Sequence, residues 1–317
     1  TLRKIMLINQ IKKTLYEDYY ENNEEQFSSV TSSHWRDYGR KTQVNFTDNN
    51  YEINAEWISA FSKKTFLRLL RNVQIDYLLA RLMNKYNAQP ETVKAAKEIA
   101  EKHGILFNYD HAKHVLFFDL LTSLNRLNTD DFICIIGDGH GFFGTLIKSL
   151  IPDAKIIFVN LGRNLLIDAV CFSSIFTDNE ALHLLREEDK EDISNHSIVF
   201  LEAENYELMR DLPISLFINI ASMQEMDLSM INNYFDAMRT STVESYFYCV
   251  NREEKTLPDG SVICFNDYPW QSSEIMEGGS IDSLCPWYQE YPSSIPPFWK
   301  PFDGPNLHRL IKLGTKD

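Results

Sequence analysis

The sequence predicts an α/β fold, a seven-stranded and mostly parallel sheet with helices on both faces, preceded by a helical N-terminal region. Three observations predict it. Up to about residue 127, apolar residues recur three or four apart, as in Ile5-Ile8-Ile11-Leu15, Phe66-Leu69-Leu70-Val73-Tyr77 and Val93-Ala96-Ile99-Ala100, the spacing of one helix face. After Asp131 the rhythm changes to short β-branched runs alternating with amphipathic stretches, the pattern of strand–helix–strand units. Between the first such run and the first such helix stands Gly137-Asp138-Gly139-His140-Gly141-Phe142-Phe143-Gly144, four glycines in eight residues. The chain therefore divides into a helical region, 1–127, and an α/β unit, 128–317.

Taken in order, the N-terminal helices are separated by polar loops at 22–31 and 45–54. Strands are expected at 132–136, 155–159, 197–201, 214–220, 246–250 and 262–265, with a last apolar piece at 310–313. Helices are expected at 142–150, 164–176, 180–189 and 228–239. Pro152 ends the first of these, because proline lacks an N–H and clashes with the preceding turn, and Pro213 separates helix from strand in the same way. Beyond Asp267 the chain is rich in Pro and Trp. Trp270, Trp287, Tyr288, Tyr291, Phe298 and Trp299 read either as a wall over the ligand edge of the sheet or as plain cover for its flank.

Composition bounds the function. With 317 residues, 44% apolar and 13% aromatic, the chain can bury a sizeable core. A net charge of −14 gives no basic face for a nucleic-acid backbone, so no nucleic acid is expected as partner. The five cysteines are scattered with no Cys-x-x-Cys pair, which reads as reduced thiols in a cytoplasmic protein. No run approaches the ~20 apolar residues of a membrane span, and Thr1-Leu2-Arg3 opens no secretory signal. A chain without an initiator Met is expected to have lost an upstream portion, and a homo-oligomer is compatible with all of this.

The glycine string carries the chemistry. Glycine lets the backbone take positive φ and lets a ligand approach, while the N–H groups at a helix start are expected to face that ligand. Two registers compete. Gly139-His140-Gly141-Phe142-Phe143-Gly144 satisfies the dinucleotide fingerprint G-x-G-x-x-G and points to an NAD-dependent oxidoreductase. Gly137-Asp138-Gly139-His140-Gly141 is instead the G-x-G-x-G turn of enzymes that use S-adenosylmethionine, and it puts its first glycine at the strand end.

The segment Phe217-Ile218-Asn219-Ile220-Ala221-Ser222-Met223-Gln224-Glu225-Met226 resembles the fourth-strand motif of the sugar O-methyltransferase family. So do Asn251-Arg252-Glu253-Glu254-Lys255 with Pro258-Asp259-Gly260, Phe265-Asn266-Asp267-Tyr268-Pro269-Trp270, and Phe302-Asp303-Gly304-Pro305 with Leu307-His308-Arg309-Leu310. The resemblance runs from about Val115 to the end. It implies a class I methyltransferase fold that binds S-adenosylmethionine, with a sugar, sugar nucleotide or glycan as acceptor. On its motifs Gly137, Gly139 and Gly141, with Asp138 and His140 between them, would hold the methionine end. Asn160 and Leu161 would take the ribose, Glu202, Ala203 and Glu204 the adenine, and Asn219, Ile220 and Ser222 would form the floor. The chain departs from the family at Ile135, where Glu is usual, and at Asn160, where Asp is usual, so a degenerate fold that binds without catalysis is the alternative.

Methyl transfer to a hydroxyl is an in-line displacement that also needs a proton acceptor. Glu225, just past the fourth strand, is the first candidate, and its alternative role is to cap the following helix with Gln224. His308, Arg309 and His140 follow. Arg252, Lys255 and Arg309 suit phosphates or acidic sugar groups, and Gln224, Tyr268 and Trp270 complete the expected acceptor side, the rings stacking on a sugar face. No His-Glu-x-x-His motif or paired Asp cluster suggests a metal.

Overall fold

The structure, a computed structural model, describes residues 6–21, 31–36, 43–47, 50–54, 66–128, 130–176, 180–274 and 281–314. In chain order the first elements are β1 (Met6–Leu7), α1 (Ile8–Tyr16), the hairpin strands β2 (Gln43–Thr47) and β3 (Asn50–Asn54), and the helices α2 (Phe66–Lys85), α3 (Pro90–Lys102) and α4 (Tyr109–Ser123). The α/β part follows with β4 (Phe132–Ile136), α5 (Phe142–Leu150), β5 (Lys155–Asn160), α6 (Gly162–Ile175), β6 (Glu180–Leu184), β7 (Ile198–Glu202), β8 (Ile214–Ile220), α7 (Leu228–Met238) and β9 (Tyr246–Arg252). Beyond it lie β10 (Glu254–Thr256), β11 (Val262–Cys264), β12 (Asp282–Leu284), β13 (Glu290–Pro292), β14 (Trp299–Pro301) and β15 (Asn306–Lys312).

The main sheet has the order β1-β6-β7-β5-β4-β8-β9-β15-β12. Strands β6 to β9 are parallel to one another, while β15 runs antiparallel to β9 and β12. This is the expected doubly wound, mostly parallel α/β sheet, with nine strands among the described residues instead of seven. The additions are β6 and, beyond it, β1 on one side, and β12 at the other edge. Residues 262–265 leave the sheet, since among the described residues β11 pairs only with β10.

Every residue of β4 and β7 is buried, as a strand covered on both faces requires. Their side chains alternate between two cores. Ile133, Ile135, Phe158, Phe200 and Ile218 pack with α1, α5 and α6 on one face, and Cys134, Ile136, Ile157, Val159 and Phe217 pack with α7 on the other.

Several expectations are corrected. The described residues of the stretch 45–54, 45–47 and 50–54, lie in the paired strands β2 and β3 rather than a loop, stabilised by the cross-strand rings of Phe46 and Tyr51, 4.7 Å apart. Residues 180–189 hold strand β6 and the start of a 3-10 turn, because Leu182 and Leu184 extend the sheet beyond β7. The N-terminal region is not wholly helical, and β1 joins the sheet against β6. The loop expected at 22–31 falls outside the described residues except at Thr31.

The chain leaves β4 toward β5 on one side, and β8 lies on the other. Neighbouring strands whose connections diverge open a crevice at their carboxyl ends, and that is where the site lies.

Candidate functional site

The turn after β4 begins with the Gly137 N–H donating to the Val159 carbonyl at 2.8 Å. Asp138 then folds back, and its carboxylate accepts from the N–H groups of Phe143 at 3.0 Å and Gly144 at 2.7 Å. The start of α5 is thus capped by the chain itself, so those two donors do not face a ligand, contrary to the sequence expectation. Asp138 is 9% exposed, and burial pushes its carboxyl up to about 6 despite the two N–H bonds. The glycines divide the work. Gly139 has φ +87°, and a Cβ there would enter open space. Gly141 has φ +70°, and its Cβ would meet the Asp168 carbonyl of α6 at 2.5 Å. Gly139 is therefore the open position of the turn and Gly141 the position of close packing.

At the end of β5, the Asn160 amide donates to Asp168 at 2.8 Å and its oxygen accepts from the Leu161 N–H at 3.0 Å. Asp168 is fully buried, and burial, then the charge of Asp138, raises its carboxyl well above the usual range. At the end of β7, Glu202 accepts from the Tyr19 hydroxyl and lies 3.1 Å from the His183 ring nitrogen. Burial would raise that carboxyl, but the hydrogen bonds from His183 and Tyr19 hold it below its ordinary value. Glu202 is thus committed to protein partners, and Ala203 is the residue there that lines a pocket.

The end of β8 is held by an amide network. Asn219 donates to the Ile136 carbonyl at 2.8 Å and its oxygen accepts from Met223 N–H and from the Asn251 amide, each at 3.0 Å. Gln224 donates from its backbone to Asn251 at 3.1 Å and accepts the Arg252 N–H at 2.7 Å. Asn219 and Gln224 consequently lock β4, β8 and β9 together at the crevice rather than facing it. Ala221, at φ +62°, takes a left-handed conformation unusual for a residue with a Cβ, and it lines the cleft.

Two connected spaces lie at this edge. A polar cleft of about 380 Å³ is lined by, among others, Gly139, His140, Ser222, Glu225, Arg252 and Lys255. Behind it a mainly apolar pocket of about 30 Å³ is walled by Val159, Asn160, Leu161, Ala203, Met226 and Tyr234. Gly137, Ser222 and Trp35 line both. Segment 31–36 reaches across from the N-terminal region, with Ser32 donating its hydroxyl to the Glu225 carbonyl and His34 Nε2 lying 3.2 Å from the Glu225 carboxylate. Lys255 pairs with the same carboxylate. Burial would raise Glu225, but the hydrogen bond from His34 and the charge of Lys255 outweigh it and hold the carboxyl below the usual range.

Helix α4 brings two histidines toward the glycine turn. The rings of His111 and His114 lie 5.6 and 6.4 Å from that of His140. Burial lowers all three, His111 to about 3, His140 to about 4 and His114 well below its ordinary value, so all are neutral near pH 7. Sequence reasoning missed His114, together with His34, Trp35 and Lys113 of the cleft wall. The His111-x-x-His114 spacing was the available signal. Among the described residues no group of three or more His, Cys, Asp or Glu is arranged to hold a metal.

Four expected site residues stand elsewhere. His308 is buried between the Tyr248 hydroxyl at 3.0 Å and the Ser283 hydroxyl at 3.2 Å. Arg309 pairs with Asp282 at 2.8 Å and covers the rings of Phe265 and Trp270. Strand β15 lies three strand spacings from β4, about 14 Å, which keeps both residues out of the crevice. Tyr268 and Trp270 belong to the core with Phe235 and Phe247. Of the aromatics expected as a wall, Tyr288 lines the cleft, whereas Trp287 and Trp299 line a separate groove beside α2.

No protein-family model matches the chain, and the search of curated proteins finds no match. The chain is similar in structure to a human N-acetylserotonin methyltransferase in complex with SAM, at TM-score 0.33 and 10% identity over 97% of this chain and 94% of that one. It is also similar to a Nostoc punctiforme protein described as an O-methyltransferase, at TM-score 0.38 and 12% identity over 96% of this chain and 94% of that one. A SAM-dependent methyltransferase of Aquifex aeolicus aligns at TM-score 0.33 and 10% identity over 61% of this chain and 88% of that one. The fold assignment itself rests on the strand order and direction described above.

Proposed function

We propose that the chain is an S-adenosylmethionine-dependent O-methyltransferase acting on a sugar or glycan hydroxyl in the polar cleft. The observation that carries this reading is the two-part site at the β4–β8 crevice, an apolar pocket opening past Gly137 and Ser222 into a polar cleft beside Gly139. The pocket's lining suits a purine, with the Asn160 amide at its rim, and Gly139 leaves space for the methionine end. At about 30 Å³ the pocket is far below the ~300 Å³ of a ligand site, so Trp35 and Ser32 must shift outward to admit adenosine.

When bound, S-adenosylmethionine supplies an electrophilic methyl group on sulfonium. The chain has to align the acceptor oxygen and remove its proton. Glu225, committed to His34 and Lys255, orients the acceptor. His140, a neutral imidazole in the cleft wall, takes the proton, with His114 beside it. The region 1–127 is part of this site, since it contributes His34, Trp35 and His114 to the walls.

Calorimetric titration with S-adenosylhomocysteine, with NAD as control, tests the reading. Micromolar binding of S-adenosylhomocysteine alone supports it, and turnover with a sugar acceptor separates an enzyme from a degenerate binding fold. Heat from NAD alone would replace it with an oxidoreductase, and heat from neither would overturn both.

A further inference from the structure

One cation of the cleft has no carboxylate against it among the described residues. Lys113 is paired with Asp110 at 2.8 Å, and Lys255 is paired with Glu225, which also meets His34. Arg252 is the third cation of the wall. Its backbone N–H is taken by Gln224, but its guanidinium has no hydrogen-bond or ion-pair partner among the described residues and lies over the Phe302 ring, 5.9 Å from the centroid. A guanidinium offers five donors in a planar fork and stays charged at any working pH. Asp138, the third carboxylate of the wall, is spent on the N–H groups of Phe143 and Gly144, so three cations stand with three carboxylates and Arg252 alone has no carboxylate against it among the described residues. A guanidinium left so in a cleft is a ready site for an anionic group.

We propose that the ligand of the cleft carries a carboxylate or phosphate group and that Arg252 binds it. The backbone at Arg252 is fixed for that task. It ends β9, its N–H is held by Gln224, and it faces Asn306 across the sheet. Arg309, the other arginine expected to serve an acidic group, is neutralised by Asp282 outside the cleft. The proposal rests on the cleft being the acceptor site, and it deepens that reading by naming the charge of the acceptor.

The test is titration of the intact chain with glucose 6-phosphate, glucuronate and glucose, with and without S-adenosylhomocysteine, read by ligand-detected NMR. One of the two acids should bind at least about tenfold tighter than glucose, the factor that about 1.4 kcal/mol of charge-assisted hydrogen bonding gives. Which acid it is distinguishes phosphate from carboxylate. Arg252→Gln should remove that preference, Arg252→Lys should keep part of it, and Arg309→Gln, outside the cleft, should leave it whole. Circular dichroism checks that each variant is folded. Acids that bind no better than glucose, or a preference that survives in Arg252→Gln, would overturn the proposal. If S-adenosylhomocysteine fails to bind while the preference and its loss in Arg252→Gln are seen, the anion site stands and the methyltransferase reading falls.

Discussion

Alanine at Gly141 should destabilise the protein well beyond alanine at Gly139, although both glycines sit in the same turn at similar φ. Each substitution puts a Cβ on a left-handed residue, which costs about 1 kcal/mol. At Gly139 that is the whole effect, because the new atom meets nothing within 4 Å. At Gly141 the Cβ would lie 2.5 Å from the carbonyl oxygen and 2.7 Å from the Cα of Asp168. Those atoms are backbone of α6, so no rotamer change relieves the overlap, and overpacking adds about 1–3 kcal/mol. The totals are about 1 kcal/mol at Gly139 and about 2–4 kcal/mol at Gly141. At roughly 2–4 °C per kcal/mol for a chain of this size, melting should fall by roughly 2–4 °C and 4–16 °C respectively. Thermal denaturation followed by circular dichroism at two scan rates measures both. Equal losses, or a larger loss at Gly139, would refute the division of the turn into an open position and a packing position. The companion change Gly139→Val should abolish S-adenosylhomocysteine binding while the protein stays folded.

Glu274→Ala should cost about 3–5 kcal/mol in urea denaturation, because it strands Arg239, whose guanidinium holds that 1%-exposed carboxylate at 2.8 and 3.0 Å. His308→Ala should leave cofactor binding untouched and lower stability by about 1–3 kcal/mol, since the buried Tyr248 hydroxyl loses its partner, and a loss of binding with full stability would return His308 to the site. Acid should destabilise the fold. Burial lowers His111 to about 3, His308 to about 4 and His114 well below its ordinary value. In that window the unfolded chain binds more protons than the native one, so each histidine removes about 2 kcal/mol of stability between about pH 6.5 and pH 5. Asp138, raised to about 6, and Asp168, raised well above its ordinary value, both by burial, act in the opposite sense but are outnumbered by the histidines. Urea midpoints at pH 7 and pH 5 check the sign, and a higher midpoint at pH 5 would refute it.

Strands β4 and β8 and helix α5 were legible to the residue, because each is an apolar run set off by a glycine, a proline or an aspartate that acts locally. Helix α7 was one residue shorter than expected. What the chain does not announce is the direction a polar side chain takes at the crevice. Asn219 and Ser222 are both polar residues near the end of β8, yet Asn219 is spent on Ile136, Met223 and Asn251 while Ser222 lines the cleft. Asp138 reads as a residue beside the ligand, but its carboxylate is consumed by the start of α5. His308 and Arg309 fail for a related reason, since their strand adds to the sheet beyond β9 and only the sheet order says how far that is.

Glu225 is the instructive case. Its position past the fourth strand was readable, and the cleft does include it. Its chemistry was not, because its partners come from far along the chain. With His34 on one oxygen and Lys255 on the other, the carboxylate is held in its charged form, and a base bound that tightly gains little by taking a proton. The same contacts fix its orientation toward the cleft, so in the proposed reaction Glu225 positions the acceptor, and proton removal falls to a neighbouring group. In that proposal the group is His140, in the glycine turn beside Gly139; burial lowers it to about 4, so it serves as base only where a developing negative charge beside it raises it.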